Sequence, residues 1–207
     1  MTVVVSQAAD SRKRMEPWMA SGRSKTTKCD STPGRIHCKK PAVVEFTLLL
    51  TGAEMLTFTG RMYGLQRAEI AERSQELLAL MELDNEPRKL VVEYSHGMKK
   101  KLSLACALIH RPEILFLDEP FEGVDAVGAR LMKDILLEQV RHGATIFLTS
   151  HVLEVVERLC DRVAIINDGK LVREGSMEEL RGGSATLEDA FVRAVGVVTM
   201  RDTLDWL

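Results

Sequence analysis

Asp118 and Glu119 stand side by side at the end of the apolar run 114-ILFL-117, with Pro120 directly after them. A run that is apolar at every position fits a strand covered on both faces. Carboxylates at the carboxyl edge of a parallel sheet lie where α/β folds bind ligands. Neighbouring strand residues point to opposite faces, so the two acids need different partners. One can hold Mg²⁺, directly or through water, while the other polarises an attacking water; their spacing leaves open which does which. A bare Asp-Glu pair is more often a cap on the following turn. The four apolar residues before it and the proline after it tip the reading toward chemistry.

A second apolar run, 144-ATIFLT-149, leads into Ser150 and His151, which places an imidazole at the tip of a neighbouring strand. Upstream, 94-YSHGMKKK-101 combines a capping hydroxyl at Ser95, a flexible Gly97 and three lysines at the start of a helix. Free N–H groups and the helix dipole favour an anion there, and the lysines strengthen the field. The plainer alternative is a capped amphipathic helix with a solvated basic face.

The elements that must position these residues follow from periodicity. Gly52 to Tyr63 forms a helix stopped by Gly64, and Ala68 to Leu83 sets Ile70, Ser74, Leu77, Leu78 and Met81 on one face. From Ser95 a helix runs to Pro112 with Met98, Leu102, Ala105, Cys106 and Ile109 recurring at three and four. The strand at 114–117, a helix over 126–142, the strand at 144–149 and a helix over 152–161 then alternate, which predicts a parallel sheet with flanking helices. Asn167-Asp168-Gly169 marks a hairpin turn inside 163-VAIINDGKLVREG-175. Short helices at 177–180 and 187–195 close the chain. Residues 1–45 carry no periodicity and read as an irregular, disordered basic segment.

The whole chain has net charge −2, yet residues 11–40 carry nine Lys/Arg against two acids, leaving −9 for the rest. The overall balance argues against a general nucleic-acid binder. Cys29, Cys38, Cys106 and Cys160 form no C-x-x-C pair and read as free thiols in a reducing compartment. No apolar run reaches the ~18 to 20 residues that span a bilayer, and the first residues lack the pattern of a signal peptide. A cytosolic chain, free to dock on a membrane partner, is expected.

From about Leu50 to Gly196 the sequence resembles the ATP-binding subunit of an ABC transporter. Residues 94-YSHGMK-99 resemble the signature motif in the form found in ABC-2 type exporters, 114-ILFLDEP-120 a Walker B strand with the adjoining catalytic glutamate, 123-GVDA-126 the D-loop and 149-TSH-151 the switch histidine. The run 51-TGAEMLTFTGRMYGL-65 resembles the start of the family's helical subdomain. The resemblance implies a P-loop NTPase-like α/β core with a helical signature subdomain, and ATP and Mg²⁺ as ligands. It implies that Asp118 organises Mg²⁺, Glu119 polarises the hydrolytic water and His151 contacts the γ-phosphate. Ser95, His96 and Gly97 would meet nucleotide held by a partner subunit in a head-to-tail dimer, and Asp125 would couple the two sites. It further implies a separate transmembrane permease, with this chain peripheral on the inner face of the membrane.

The family's phosphate loop, G-x-x-x-x-G-K-[ST], wraps the phosphates in backbone N–H groups, and this chain contains no such string. The nearest candidate, 19-MASGRSKT-26, has Lys25 and Thr26 but Met19 and Ser24 where glycines belong. The expected organisation is an irregular segment over 1–45 in place of the family's N-terminal third, a partial ATPase domain over 46–196 and a tail over 197–207. Within that domain the helical and signature part covers 52–112, the core and hairpin 113–175 and the closing helices 176–196. Because the phosphate-loop strand normally lies in mid-sheet, its loss would expose the strands at 114–117 and 144–149. The expected function is an ATP-binding subunit impaired in cis. The alternatives are a non-hydrolytic partner that lends its signature segment in trans, or an inactive fragment.

Overall fold

Local signals set the helices that carry the site. In this computed structural model, which describes residues 2–8, 49–167, 169–182 and 186–195, helix α1 (Gly52–Met62) opens with a reciprocal cap. Thr51 accepts from the Glu54 N–H, and the Glu54 carboxylate accepts from the Thr51 N–H at 2.8 Å. Gly64, at φ 78°, turns the chain away from the helix. Helix α2 (Arg67–Leu80) folds back against α1. A Cβ on Gly60 would come within 2.7 Å of Ile70 Cγ1, so the bare glycine is what lets the two helices approach. Helix α3 (His96–Leu108) is capped by Ser95, as its sequence predicts.

The remaining elements are β2 (Ile114–Asp118), α4 (Ala126–Arg141), β3 (Thr145–Ser150), α5 (Leu153–Leu159), β4 (Arg162–Asn167), β5 (Lys170–Ser176), α6 (Met177–Arg181) and α7 (Leu187–Val195). Two apolar clusters hold them. Leu56, Met81, Ile109, Met132 and Ile146 belong to one that joins α1–α4 to the sheet. Val156, Val163, Ile165, Leu180 and Leu187 belong to the second, beneath α5–α7. Leu117 and Phe121 pack against both clusters, so the candidate Asp118–Glu119 pair sits at the seam. Each fully buried aliphatic side chain contributes about 1.5–3 kcal/mol relative to exposure.

The sheet corrects one expectation. Residues 2–8, read above as part of an irregular segment, form strand β1 (Thr2–Ala8) in mid-sheet, in the order β2-β3-β1-β4-β5. The run Val3-Val4-Val5 is β-branched, and the open edges of β3 and β4 supply its ladder partners. Those partners lie far away in sequence, which local periodicity cannot register. Residues 9–45, whose irregular character was also expected, and 197–207, read as a tail, lie outside the described residues. The strand pair β2/β3 is parallel as expected, with Ile114 opposite Thr145 and Asp118 opposite Thr149. Strand β1 is antiparallel to both neighbours, and β4/β5 form the antiparallel hairpin, so the sheet as a whole is mixed.

Strand β1 also changes which strand is left open. Among the described residues, β3 is paired on both sides and only β2 of the two lies at an edge. There Phe116 is 55% exposed and stacks on Phe147 with ring centroids 5.1 Å apart.

Candidate functional site

The carboxyl ends of β2 and β3 bring three of the candidate residues together. Register sets Asp118 opposite Thr149, and the Thr149 hydroxyl donates to Asp118 Oδ1 at 2.5 Å. Glu119 leaves the strand in the left-handed region at φ 45°. A residue with a Cβ pays about 1–2 kcal/mol for that conformation, and strain of this kind concentrates at functional sites. Three contacts hold it there. Its N–H donates to both the carbonyl and the hydroxyl oxygen of Thr149 at 3.2 Å, and its carbonyl accepts from Lys100 Nζ at 2.6 Å.

The turn in the backbone separates the two carboxylates. Asp118 faces Thr149, whereas Glu119 Oε1 lies 2.9 Å from His151 Nδ1. That hydrogen bond, together with the negative charge of Glu119, raises the imidazole above its ordinary pKa, and Glu122 adds to the effect. His151 is 55% exposed and Glu119 25% exposed, so the pair opens to solvent where a ligand could enter.

The second group gathers at the start of α3. The Ser95 hydroxyl accepts from the Met98 N–H at 3.2 Å, which commits it to capping. His96 lies over Gly123: a Cβ there would fall 2.1 Å from His96 Nδ1, and Gly123 holds φ 70°. Gly97 faces the same turn, where a Cβ would stand 3.4 Å from the Gly123 carbonyl oxygen. Asp125 caps α4, its Oδ1 accepting from the Gly128 N–H at 3.0 Å. The segment around Ser95 and the turn 123–126 therefore pack on one another.

The three lysines do not form the common field expected of them. Lys99 donates to the Val92 carbonyl at 3.1 Å, Lys100 to the Glu119 carbonyl, and Lys101 pairs with Glu82 at 2.9 Å. Successive helix residues point about 100° apart, so three in a row cannot converge on one anion.

Two participants escaped the sequence reading. Thr149 was visible only as a neighbour of His151; its position opposite Asp118 follows from strand register. Lys100 was one of three like residues until the helix separated them.

Asp118 and Thr149 present hard oxygen donors of the kind Mg²⁺ prefers. Among the described residues no group of three or more His, Cys, Asp or Glu could cage a metal.

Comparison with known proteins gives a consistent picture. A family model described as ABC transporter matches residues 11–122. The match begins inside the segment read as irregular and takes in Lys25 and Thr26. A fluoroquinolones export ATP-binding protein of Mycobacterium tuberculosis is 43% identical over 132 residues, 64% of this chain and 42% of that protein. The linearmycin resistance ATP-binding protein LnrL of Bacillus subtilis is 36% identical over 131 residues, 63% of this chain and 42% of its own length. This chain thus spans less than half the length of these two relatives. A solved structure described as an ATP-binding subunit of an ABC transporter superposes with a TM-score of 0.66 at 30% identity, covering 72% of this chain and 63% of that one.

Proposed function

Because the chain belongs to the ABC transporter family, we propose that it is an ATP-binding subunit that couples nucleotide binding and hydrolysis to export through a separate permease. The observation that carries this reading is the Glu119–His151 pair, 2.9 Å apart at the carboxyl ends of two parallel strands, beside Asp118. Asp118 and Thr149 would hold Mg²⁺, which would supply positive charge to neutralise the terminal phosphates. Glu119 orients the attacking water and accepts its proton, and His151 donates to the γ-phosphate oxygens. The hydrogen bond and negative charge of Glu119 raise the His151 pKa, a shift in the direction that favours the proton-donating imidazolium.

Ser95, His96 and Gly97 serve a nucleotide bound chiefly by a second subunit, and Asp125, at the start of α4, links the two sites. The partners are a second nucleotide-binding domain and a transmembrane permease, which keeps this chain on the inner face of the membrane. Among the described residues no helix is long and apolar enough to cross a bilayer.

Binding in cis is weak on this reading. The chain has no glycine-rich phosphate loop, and each charge-assisted hydrogen bond lost costs roughly 1.5–3 kcal/mol. Strand β1 occupies mid-sheet but runs antiparallel, so Ala8 emerges beside Thr145, at the end away from Asp118. A second reading, that 19–26 is an altered phosphate loop, draws support from the family match beginning at residue 11.

Titration of the chain with a fluorescent ATP analogue and Mg²⁺ separates the two. Weak binding that Lys25→Ala leaves unchanged supports impairment in cis; micromolar binding abolished by Lys25→Ala supports the altered loop. Addition of this chain to a complete family subunit should raise the ATPase rate, with Ser95→Arg cancelling the rise. No change on mixing would refute the trans role.

A further inference from the structure

We propose that Lys100 is a positioning residue for Glu119: its ammonium, hydrogen-bonded to the Glu119 carbonyl oxygen, holds residue 119 in the left-handed conformation that turns its carboxylate onto His151. The inference rests on the reading of Glu119 as the residue that orients water. Three observations carry it. The Lys100 Nζ to Glu119 O distance is 2.6 Å and the contact is partly buried. Glu119 is one of three non-glycine residues at positive φ among the described residues, and the only one of them at the candidate site. The lysine takes the main-chain oxygen, whereas the carboxylate is engaged by His151 at 2.9 Å.

That division has a chemical consequence. An ammonium placed on the carboxylate would compete with the imidazole and with any attacking water for its lone pairs. Placed on the carbonyl, it stabilises a disfavoured backbone geometry with a charge-assisted bond and leaves the carboxylate oxygens to His151 and to water. The neighbouring cations are committed elsewhere, Lys99 to Val92 and Lys101 to Glu82, so neither substitutes for it. The charged groups that bear on His151 from the turn after β2 are Glu119 and Glu122. Lys100 also lies just over one turn beyond Ser95, so the helix that presents the signature segment is the same rigid element that grips the catalytic acid.

The test uses the full chain, isotopically labelled, with Lys100→Met, Lys100→Gln, Lys100→Arg and Glu119→Gln. The proposal expects the Glu119 Cβ shift and the N–H to Hα coupling to lose their positive-φ signature in the Met and Gln variants and to keep it in the Arg variant. Met or Gln variants that melt like the parent and retain the parental Glu119 signature overturn the proposal. If the uncharged variants do not fold, the scalar correlation across the hydrogen bond from Lys100 Nζ to the Glu119 carbonyl carbon in the unsubstituted chain decides, and its absence overturns the proposal. Failure of the catalytic reading looks different. In that case Lys100 variants still alter the Glu119 backbone, but Glu119→Gln leaves the ATPase of a mixed assembly unchanged.

Discussion

Replacing Gly123 by Ala tests whether the segment around Ser95 is truly docked on the turn 123–126. Two costs add at this position. The backbone sits at φ 70°, where a residue with a Cβ loses about 1–2 kcal/mol. The new methyl would also stand 2.1 Å from His96 Nδ1, 2.9 Å from Cε1 and 3.2 Å from Cγ. Overpacking of this severity costs about 1–3 kcal/mol, according to how far the ring can move aside. The sum is a loss of about 2–5 kcal/mol. Urea unfolding at constant m-value measures it, and a double-mutant cycle with His96→Ala divides it. Removing the imidazole should recover the steric part and leave the backbone part, so that Gly123→Ala costs about 1–2 kcal/mol in the His96→Ala background. If Gly123→Ala changes stability by less than about 0.5 kcal/mol, as ordinary surface substitutions do, or if the cycle shows no coupling, the packing of His96 on Gly123 is refuted.

Other consequences are open to simpler assays. Met132 is fully buried in the cluster joining the helices to the sheet, so Met132→Ala should lower unfolding free energy by about 2–5 kcal/mol in urea. Burial pushes the Cys106 thiol up to about 11 and the Cys160 thiol up to about 12. With Cys29 and Cys38 replaced by Ser, an aromatic disulfide reagent at pH 8 should therefore label the folded chain slowly and the urea-unfolded chain fast. The His151 pKa is raised in the folded chain by Glu119, so its contribution to stability is fully present below the unfolded value and is lost as pH rises through the folded value. NMR titration should show Glu119→Gln lowering the His151 midpoint, and an unchanged midpoint would contradict the pair.

Much of the helical part was legible because its determinants are local. Ser95 caps the helix predicted to begin there and Gly64 ends the first at positive φ, whereas the caps at Thr51 and Asp125 were not named in advance although the spans of their helices were. The pair β2/β3 was readable from two apolar runs separated by a helix. Strand β1 was not, since seven residues with three valines but no flanking turn signal acquire their structure from partners beginning at Thr145 and Arg162. Convergence of Asp118, Glu119 and His151 followed from strand ends. The roles of Thr149 and Lys100 did not, because one depends on register between strands and the other on rotation about α3, and neither quantity is written in a residue's immediate neighbours.

The central claim is that Glu119 and His151 act on the terminal phosphoryl group of ATP completed by a second subunit. It is tested most directly by following the His151 imidazole resonances while Mg-ATP is added to this chain mixed with a complete family subunit. The account predicts a saturable shift of His151 that requires both nucleotide and partner and that disappears in Ser95→Arg. A His151 signal that stays fixed while the partner's own site fills would contradict it.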